Sequence, residues 1–337
     1  MNIPENGFRP LHEELIIEKG ELKNLNPIFK GRVFTVVGVR RTTSRFMPVS
    51  HLGFSNEAYV DKDKVLGEKR AVFIGRKQKA IERRMHMKML RKEIEHLWRK
   101  SWKDVWKENF EIECEIPNNL CTTCPNCSLF GALNTDKNLA WYSKSRYFDT
   151  YSIEPASTCI ASKESEEGMG LGNQVYESPE EARGAETFFY YEYVKPNTHF
   201  PFITIIMEPT ELDVSGYLIA ASLADKQGFG QYSAVQGKFD SKILGASFGY
   251  PKFSVLDMLN WVKEGEEEGK DCYTRIAKKL TVDMFLCEEK NSVFLGEDLN
   301  TFIGERRTFE KFRSLLTRYK SFLESKKSKK EEEKKKE

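Results

Sequence analysis

The chain predicts an α+β fold: a ferredoxin-like core in the order βαββαβ, interrupted by large insertions. Three observations predict it. Val33, Thr35, Val37 and Val39 alternate with Phe34, Val36 and Gly38, which is the period of a strand. Two β-rich runs, 186–194 and 200–207, flank the turn residues Pro196 and Asn197, as in a hairpin. A helical run at 208–224, with Pro209 near its start and Leu212, Leu218, Ile219 and Leu223 for burial, then leads to a last strand at 239–250.

Taken in order, the first strand spans 29–41 and a polar loop follows at 53–67. Residues 78–106 read as one or two helices, with Leu90, Ile94, Leu97 and Trp98 at helical spacing. Residues 110–116 alternate as a half-buried strand before a cysteine-rich loop. The first core helix is expected at 128–133. Residues 155–185, rich in Gly, Ser and Glu, read as a lid or loop insertion. Three helices are expected near 255–262, 274–288 and 309–323. The core is thus 1–60 joined to 128–255, with a basic helical insertion at 61–109 and a metal-binding insertion at 110–127. C-terminal helices fill 256–324, and the low-complexity tail 325–337 is expected as disordered or frayed helix.

At 39% hydrophobic and 31% charged, 337 residues are enough for a real core. No apolar run reaches the ~20 residues of a membrane span. The first residues lack the basic and apolar parts of a signal peptide, so a cytoplasmic protein without a membrane partner is expected. Net charge is only +2, but the charges are clustered. Residues 22–56 hold six Lys or Arg and no acid, and 69–103 hold thirteen against three Glu. Residues 226–252 hold four Lys against one Asp. Clustering of this kind steers a polyanion, although a charged helix also serves plain solubility.

Cys121, Cys124 and Cys127 form two C-x₂-C spacings that share the middle cysteine, and Pro125 and Asn126 suit the turn. Such a loop presents thiolates to one structural Zn²⁺. The fourth ligand is expected to be His96, with Cys114 as the alternative. Arg40, Arg41 and Arg45, with three intervening hydroxyls, read as a phosphate-binding strand end. In the loop 226–238, Lys226, Gln231 and Lys238 accompany glycines whose N–H groups suit phosphate, and Phe229 and Tyr232 are placed to stack on bases. Lys195, Asn197 and His199 form a turn that suits RNA contact. His199 has the chemistry of a general base, but no nucleophile or carboxylate partner is apparent in the sequence. No paired-carboxylate, Ser/His/Asp or HD-type metal motif occurs, so a binding protein is expected rather than an enzyme.

Four segments together resemble one family: Arg40-Arg41-Thr42-Thr43-Ser44-Arg45, the cysteine cluster, the run from Glu192 to Pro201, and the glycine loop ahead of the last strand. They resemble the Csc-two proteins, the type I-D member of the Cas-seven backbone subunits of CRISPR complexes, over residues 10–255. The resemblance implies an RNA-recognition-like core with zinc-binding, helical and lid insertions. It implies several copies along one guide RNA (crRNA), other complex subunits as partners, and target nucleic acid held through the guide. Guide binding is then largely sequence-independent, because base pairing reads the sequence. A target-cutting nuclease is the alternative, since some type III relatives use an aspartate in the loop after the first strand. Here residues 40–54 contain no Asp or Glu. A stand-alone zinc-containing RNA-binding protein is a third reading.

Overall fold

The computed structural model describes residues 8, 31–48, 65–110, 114–116, 119–121, 124–135, 139–163, 191–231, 233–265, 270–287 and 292–334. In chain order, β1 (Val33–Thr42) leads to β2 (Arg70–Phe73), α1 (Gly75–Trp98), α2 (Trp102–Phe110) and α3 (Pro125–Phe130). Then come β3 (Ala132–Asn134), β4 (Leu139–Trp141), β5 (Ser145–Tyr147), β6 (Thr150–Pro155), the single turn α4 (Ala156–Cys159) and β7 (Ile160–Lys163). Next are β8 (Tyr191–Val194), β9 (His199–Met207), α5 (Glu211–Gln227), β10 (Phe239–Ser247) and β11 (Tyr250–Pro251). The chain closes with α6 (Val255–Glu264), α7 (Cys272–Lys279), β12 (Phe285–Leu286), β13 (Val293–Phe294), α8 (Gly296–Arg306) and α9 (Phe309–Lys334).

The central sheet runs β13-β10-β1-β9-β5, and each neighbouring pair is antiparallel. Without the edge strand β13, and with α1 after β1 and α5 after β9, this is the ferredoxin-like arrangement. Strand alternation sorts the side chains. Phe34, Val36, Phe202 and Ile206 pack on Val214, Tyr217 and Leu218 of α5. Val33, Val37, Val39, Ile203 and Ile205 pack on Val255, Met258 and Val262 of α6 and Ile276 of α7. Both faces therefore carry packed helices.

Several expectations change. The basic segment expected as an insertion supplies the first core helix: α1 packs along α5, and buried His86 sits where a Cβ on Gly216 would lie 2.5 Å from its Nε2. The segment at 128–133 instead divides between α3 and β3. Of the strand expected at 186–194, residues 186–190 lie outside the described residues; β8 pairs with β7 rather than with the central sheet, and an isolated bridge ties Val194 to Phe46. The turn at Asn197, with φ of 64°, thus links two sheets rather than closing a hairpin. Phe110 ends α2 rather than starting a strand. The helix expected to 288 stops at Lys279, where Leu280 turns extended and β12 follows. The helix at 309 continues to Lys334. Residues 164–185 of the expected lid lie outside the described residues.

Candidate metal centre and nucleic-acid interface

Cys114, Cys121, Cys124 and Cys127 are all buried, and their sulfurs lie within 4.8 Å of one another. Sγ of Cys114 stands 3.8 Å from that of Cys124 and 3.4 Å from that of Cys127, while the sulfurs of Cys121 and Cys127 are 3.9 Å apart. A tetrahedron with ligand bonds of ~2.3 Å has edges of about 3.8 Å, so the four sulfurs fit one ion and are too far apart for disulfides. The local chain is folded around them. Cys124 caps α3, and its sulfur accepts the N–H of Cys127 at 3.5 Å; Cys121 accepts the N–H of Cys124 at 3.2 Å. Arg91 of α1 holds the carbonyl of Cys114 at 2.7 Å. Asn126, between the ligands, donates to the Arg83 carbonyl and to Nδ1 of His86, both at 3.1 Å, and so docks the loop on α1.

The structure brings Cys114, and not His96, to the other three cysteines. His96 is exposed in the last turn of α1, where Glu93 and Ile94 take the buried face. The thiols are electrostatically divided. Burial pushes Cys121 up, but hydrogen bonds from its three neighbours hold it well below the usual thiol value. Cys124 is pushed well above it by burial, and Cys127 by its cysteine neighbours and burial together. A bound cation is what lets all four ionise at once.

At one end of the central sheet three segments converge. Thr42 N–H donates to Thr198 O at 2.9 Å, and Asn197 N–H to Thr42 O at 2.7 Å. Thr43 N–H reaches Lys238 O at 2.9 Å, and Gly237 N–H reaches Arg45 O at 2.6 Å. The strand end, the Asn197 turn and the glycine loop are thereby one surface, although they are far apart in sequence. Arg41 is half-buried, 3.1 Å from Asp240 and 3.4 Å from Asn197 Oδ1. Arg45 is exposed and lies over the ring of Tyr193. Lys195 and Lys226 are exposed, Lys195 reaching Thr158 O at 2.7 Å.

Other expected contacts are turned inward. Arg40 is fully buried between sheet and helices, where it pairs with Glu82 of α1 and, at 3.5 Å, with Asp225 of α5. Burial alone would lower its pKa, but the two carboxylates hold it above its usual value. Burial in turn pushes Asp225 up to about 6 against the pull of Arg40. Phe229 is also fully buried, packed on Phe73 and Phe239, and so presents no face to a base. Several N–H groups of the glycine loop are spent inside the protein: Phe229 on Gly237 O, Gln231 on Met47 O and Lys238 on Ser44 Oγ. The Lys238 ammonium binds Gln227 O and Ser233 O, both at 2.7 Å, and so braces the loop. Tyr232 lies outside the described residues.

Gln231 instead lines a groove of about 410 Å³ with Phe46, Val72, Ile81, Lys77 and Arg84. Along α1, Arg76, Lys77, Arg84, Lys88 and Lys92 are exposed.

A family model described as Csc2 Crispr matches residues 21–330. The chain belongs to the Csc2 family. No curated protein matches it by sequence. In structure it is similar to Csc2 of Thermofilum pendens, at 16% identity and a TM-score of 0.47, over 92% of this chain and 98% of that one. It is also similar to Csm3 of Methanopyrus kandleri, at 12% identity and a TM-score of 0.40, over 65% of this chain and 78% of that one. A Csm3–Csm4 subcomplex of a type III-A CRISPR-Cas interference complex shows 13% identity and a TM-score of 0.33, over 64% and 78%. Among the described residues of this Csc2-family chain, no helix is long and apolar enough to cross a membrane.

Sequence reasoning missed the partners of its own candidates. Glu82 and Asp225 neutralise Arg40, and Glu154 holds His199 Nδ1 at 2.7 Å. Glu82 and Glu154 lie 42 and 45 residues from the side chains they meet and Asp225 lies much farther, so no local spacing signals the pairing.

Proposed function

We propose that this Csc2-family chain binds the backbone of a guide RNA as a repeated scaffold subunit of a type I-D CRISPR interference complex. Target nucleic acid is then held by pairing with the guide, and further copies and other subunits are its partners in the cytoplasm. The observation that carries this reading is the convergence of three loops at one sheet end. Arg41, Arg45, Lys195 and Asn197 share that end, and the groove lined by Lys77, Arg84 and Gln231 adjoins it through Phe46. Guanidinium, ammonium and amide groups there suit phosphate and sugar oxygens rather than base edges, which favours sequence-tolerant binding. The reading is of a binding subunit and not of an enzyme, because residues 40–54 offer cations and no acid to hold a catalytic metal.

The four-cysteine site takes Zn²⁺ in this reading: four thiolates with near-tetrahedral spacing suit a closed structural site. Bound there, zinc would cross-link the 114–127 loop beneath α1 and α9, supplying stability rather than chemistry.

Purification of the protein from its host and sequencing of co-purified RNA tests the function directly. Guides of varied spacer sequence are expected, and absence of any enriched RNA overturns the reading. Neutral substitutions at Arg41, Arg45 and Lys195 together, compared with Lys77, Arg84 and Lys88 together, locate the groove. If the first triple variant binds single-stranded RNA as the parent does across a salt series, the sheet end is not the interface.

A further inference from the structure

The groove between α1 and the glycine loop has a volume of about 410 Å³, enough to bury a small organic group. Its chemistry is ordered along the helix. Lys77, Ala80, Ile81 and Arg84 line it, and their spacing of three and four puts them on one face of α1. Ala80 and Ile81 are half-buried, while Lys77 and Arg84 are exposed on either side of them. The two cations are seven residues apart, which is about 10 Å along the axis. Neither has an ion-pair partner among the described residues, and the described lining includes no acid. Phe46 and Phe73, with ring centroids 4.9 Å apart, close the groove from beneath.

The glycine loop supplies Gly230 and Gln231 to the lining. The Gln231 N–H is fixed on Met47 O at 3.2 Å, beside Phe46. Its side-chain Oε1 is buried and has no hydrogen-bond partner. A buried acceptor without a donor is costly, so this amide has bonding capacity left for a ligand. An apolar slot with such an amide in its wall and a cation toward each end matches one nucleotide of a single strand. The base suits the slot, and the phosphates that flank it suit the cations.

We propose that this groove holds one unstacked base of the bound RNA, with the Gln231 amide on the base edge and Lys77 and Arg84 on the neighbouring phosphates. The inference rests on the RNA-binding reading above and adds one base contact to the phosphate contacts given there. An amide both donates and accepts, so it meets the edge of any base and imposes no sequence. Phe46 and Phe73 are almost fully buried, so the base gains by leaving water against Ala80 and Ile81 rather than by stacking on a ring.

The test uses the full-length protein and fluorescence anisotropy across a salt series. The probes are a short single-stranded RNA and the same sugar-phosphate strand with every base removed. The parent should bind the base-bearing strand about tenfold more tightly, with the same salt slope for both. Ala80→Trp fills the slot without changing charge. It should remove that margin and leave the affinity and slope of the abasic strand as in the parent. Gln231→Ala should remove part of the margin. Equal binding of the two strands by the parent overturns the base pocket and leaves RNA binding standing; binding of neither strand overturns both. An Ala80→Trp protein that keeps the margin, or weakens both strands alike, also overturns the pocket. If it keeps the margin but loses self-association in gel filtration, the groove belongs to a second copy of the chain instead. Should Ala80→Trp fail to fold, the smaller filling Ala80→Leu decides by the same comparison.

Discussion

Arg40 and Arg41 are neighbours in β1 with opposite fates. Strand alternation sends one into the layer between sheet and helices and the other to the half-open sheet end. Removing Arg40 leaves Glu82 and Asp225 as buried, uncompensated carboxylates. Arg40→Ala is therefore expected to cost about 3–5 kcal/mol in urea denaturation, whereas Arg41→Ala should stay within about 0.5 kcal/mol while weakening RNA binding. The cysteine site gives an equally sharp contrast. Elemental analysis should find one metal ion per parent chain, none in Cys114→Ser, and full occupancy in His96→Ala; a metal-depleted His96→Ala would reinstate the histidine. His199 makes stability depend on pH. Its folded value of about 9 exceeds the ordinary 6.5, so the folded state holds the proton more tightly. The resulting stabilisation is complete below pH 6.5 and is lost as pH rises through 9. Denaturation midpoints should fall across that window in the parent and stay flatter in Glu154→Gln, apart from the general drift of other groups.

Among elements, α1 does the most. Its periodicity made it legible as a helix, and its cations suggested an RNA-binding insertion. Its buried residues assign it another place: Glu82 meets β1, His86 meets α5, and Glu93 binds Arg313 of α9 at 2.7 Å. Helix α9 adds Phe312, Leu315 and Leu316 to the core that holds the four cysteines. Close approach of α1 to α5 depends on the absence of a side chain at Gly216. Gly216→Ala forces His86 aside and should cost about 1–3 kcal/mol, read as a lowered thermal midpoint; a midpoint equal to or above the parent's would show that the helices yield freely. Gly237, at φ of 71° and with Phe229 O only 1.9 Å from where a Cβ would stand, similarly fixes the loop against β1.

At the scale of the whole molecule, RNA affinity should be tight at low salt and fall steeply as salt rises, because each neutralised phosphate releases counterions. The slope of log affinity against log salt should drop by about one unit for each phosphate-binding cation removed at the sheet end, with little dependence on RNA sequence. An unchanged slope in the Arg41, Arg45 and Lys195 variant, measured by fluorescence anisotropy, would move the interface to the exposed face of α1. That competition exists because the positive charge lies on two surfaces that join only in the folded chain.

The sequence by itself determined what local spacing encodes. Periods of two and near four marked β1, β9, β10, α1 and α5, and the C-x₂-C-x₂-C run marked three cysteines of one cluster. It also carried the resemblance to the family, because the motifs at 40–45, 121–127 and 192–201 are short contiguous strings. Only the tertiary structure decided pairings between distant segments. It placed β8 with β7, made α1 the crossover helix, brought Cys114 rather than His96 to the other three cysteines, buried Arg40 and Phe229, and gave His199 the carboxylate that its own neighbourhood lacks. The physical reason is the same in each case. Alternation tells which residues share a face, but which face is covered, and by what, depends on the packing of elements tens to hundreds of residues apart.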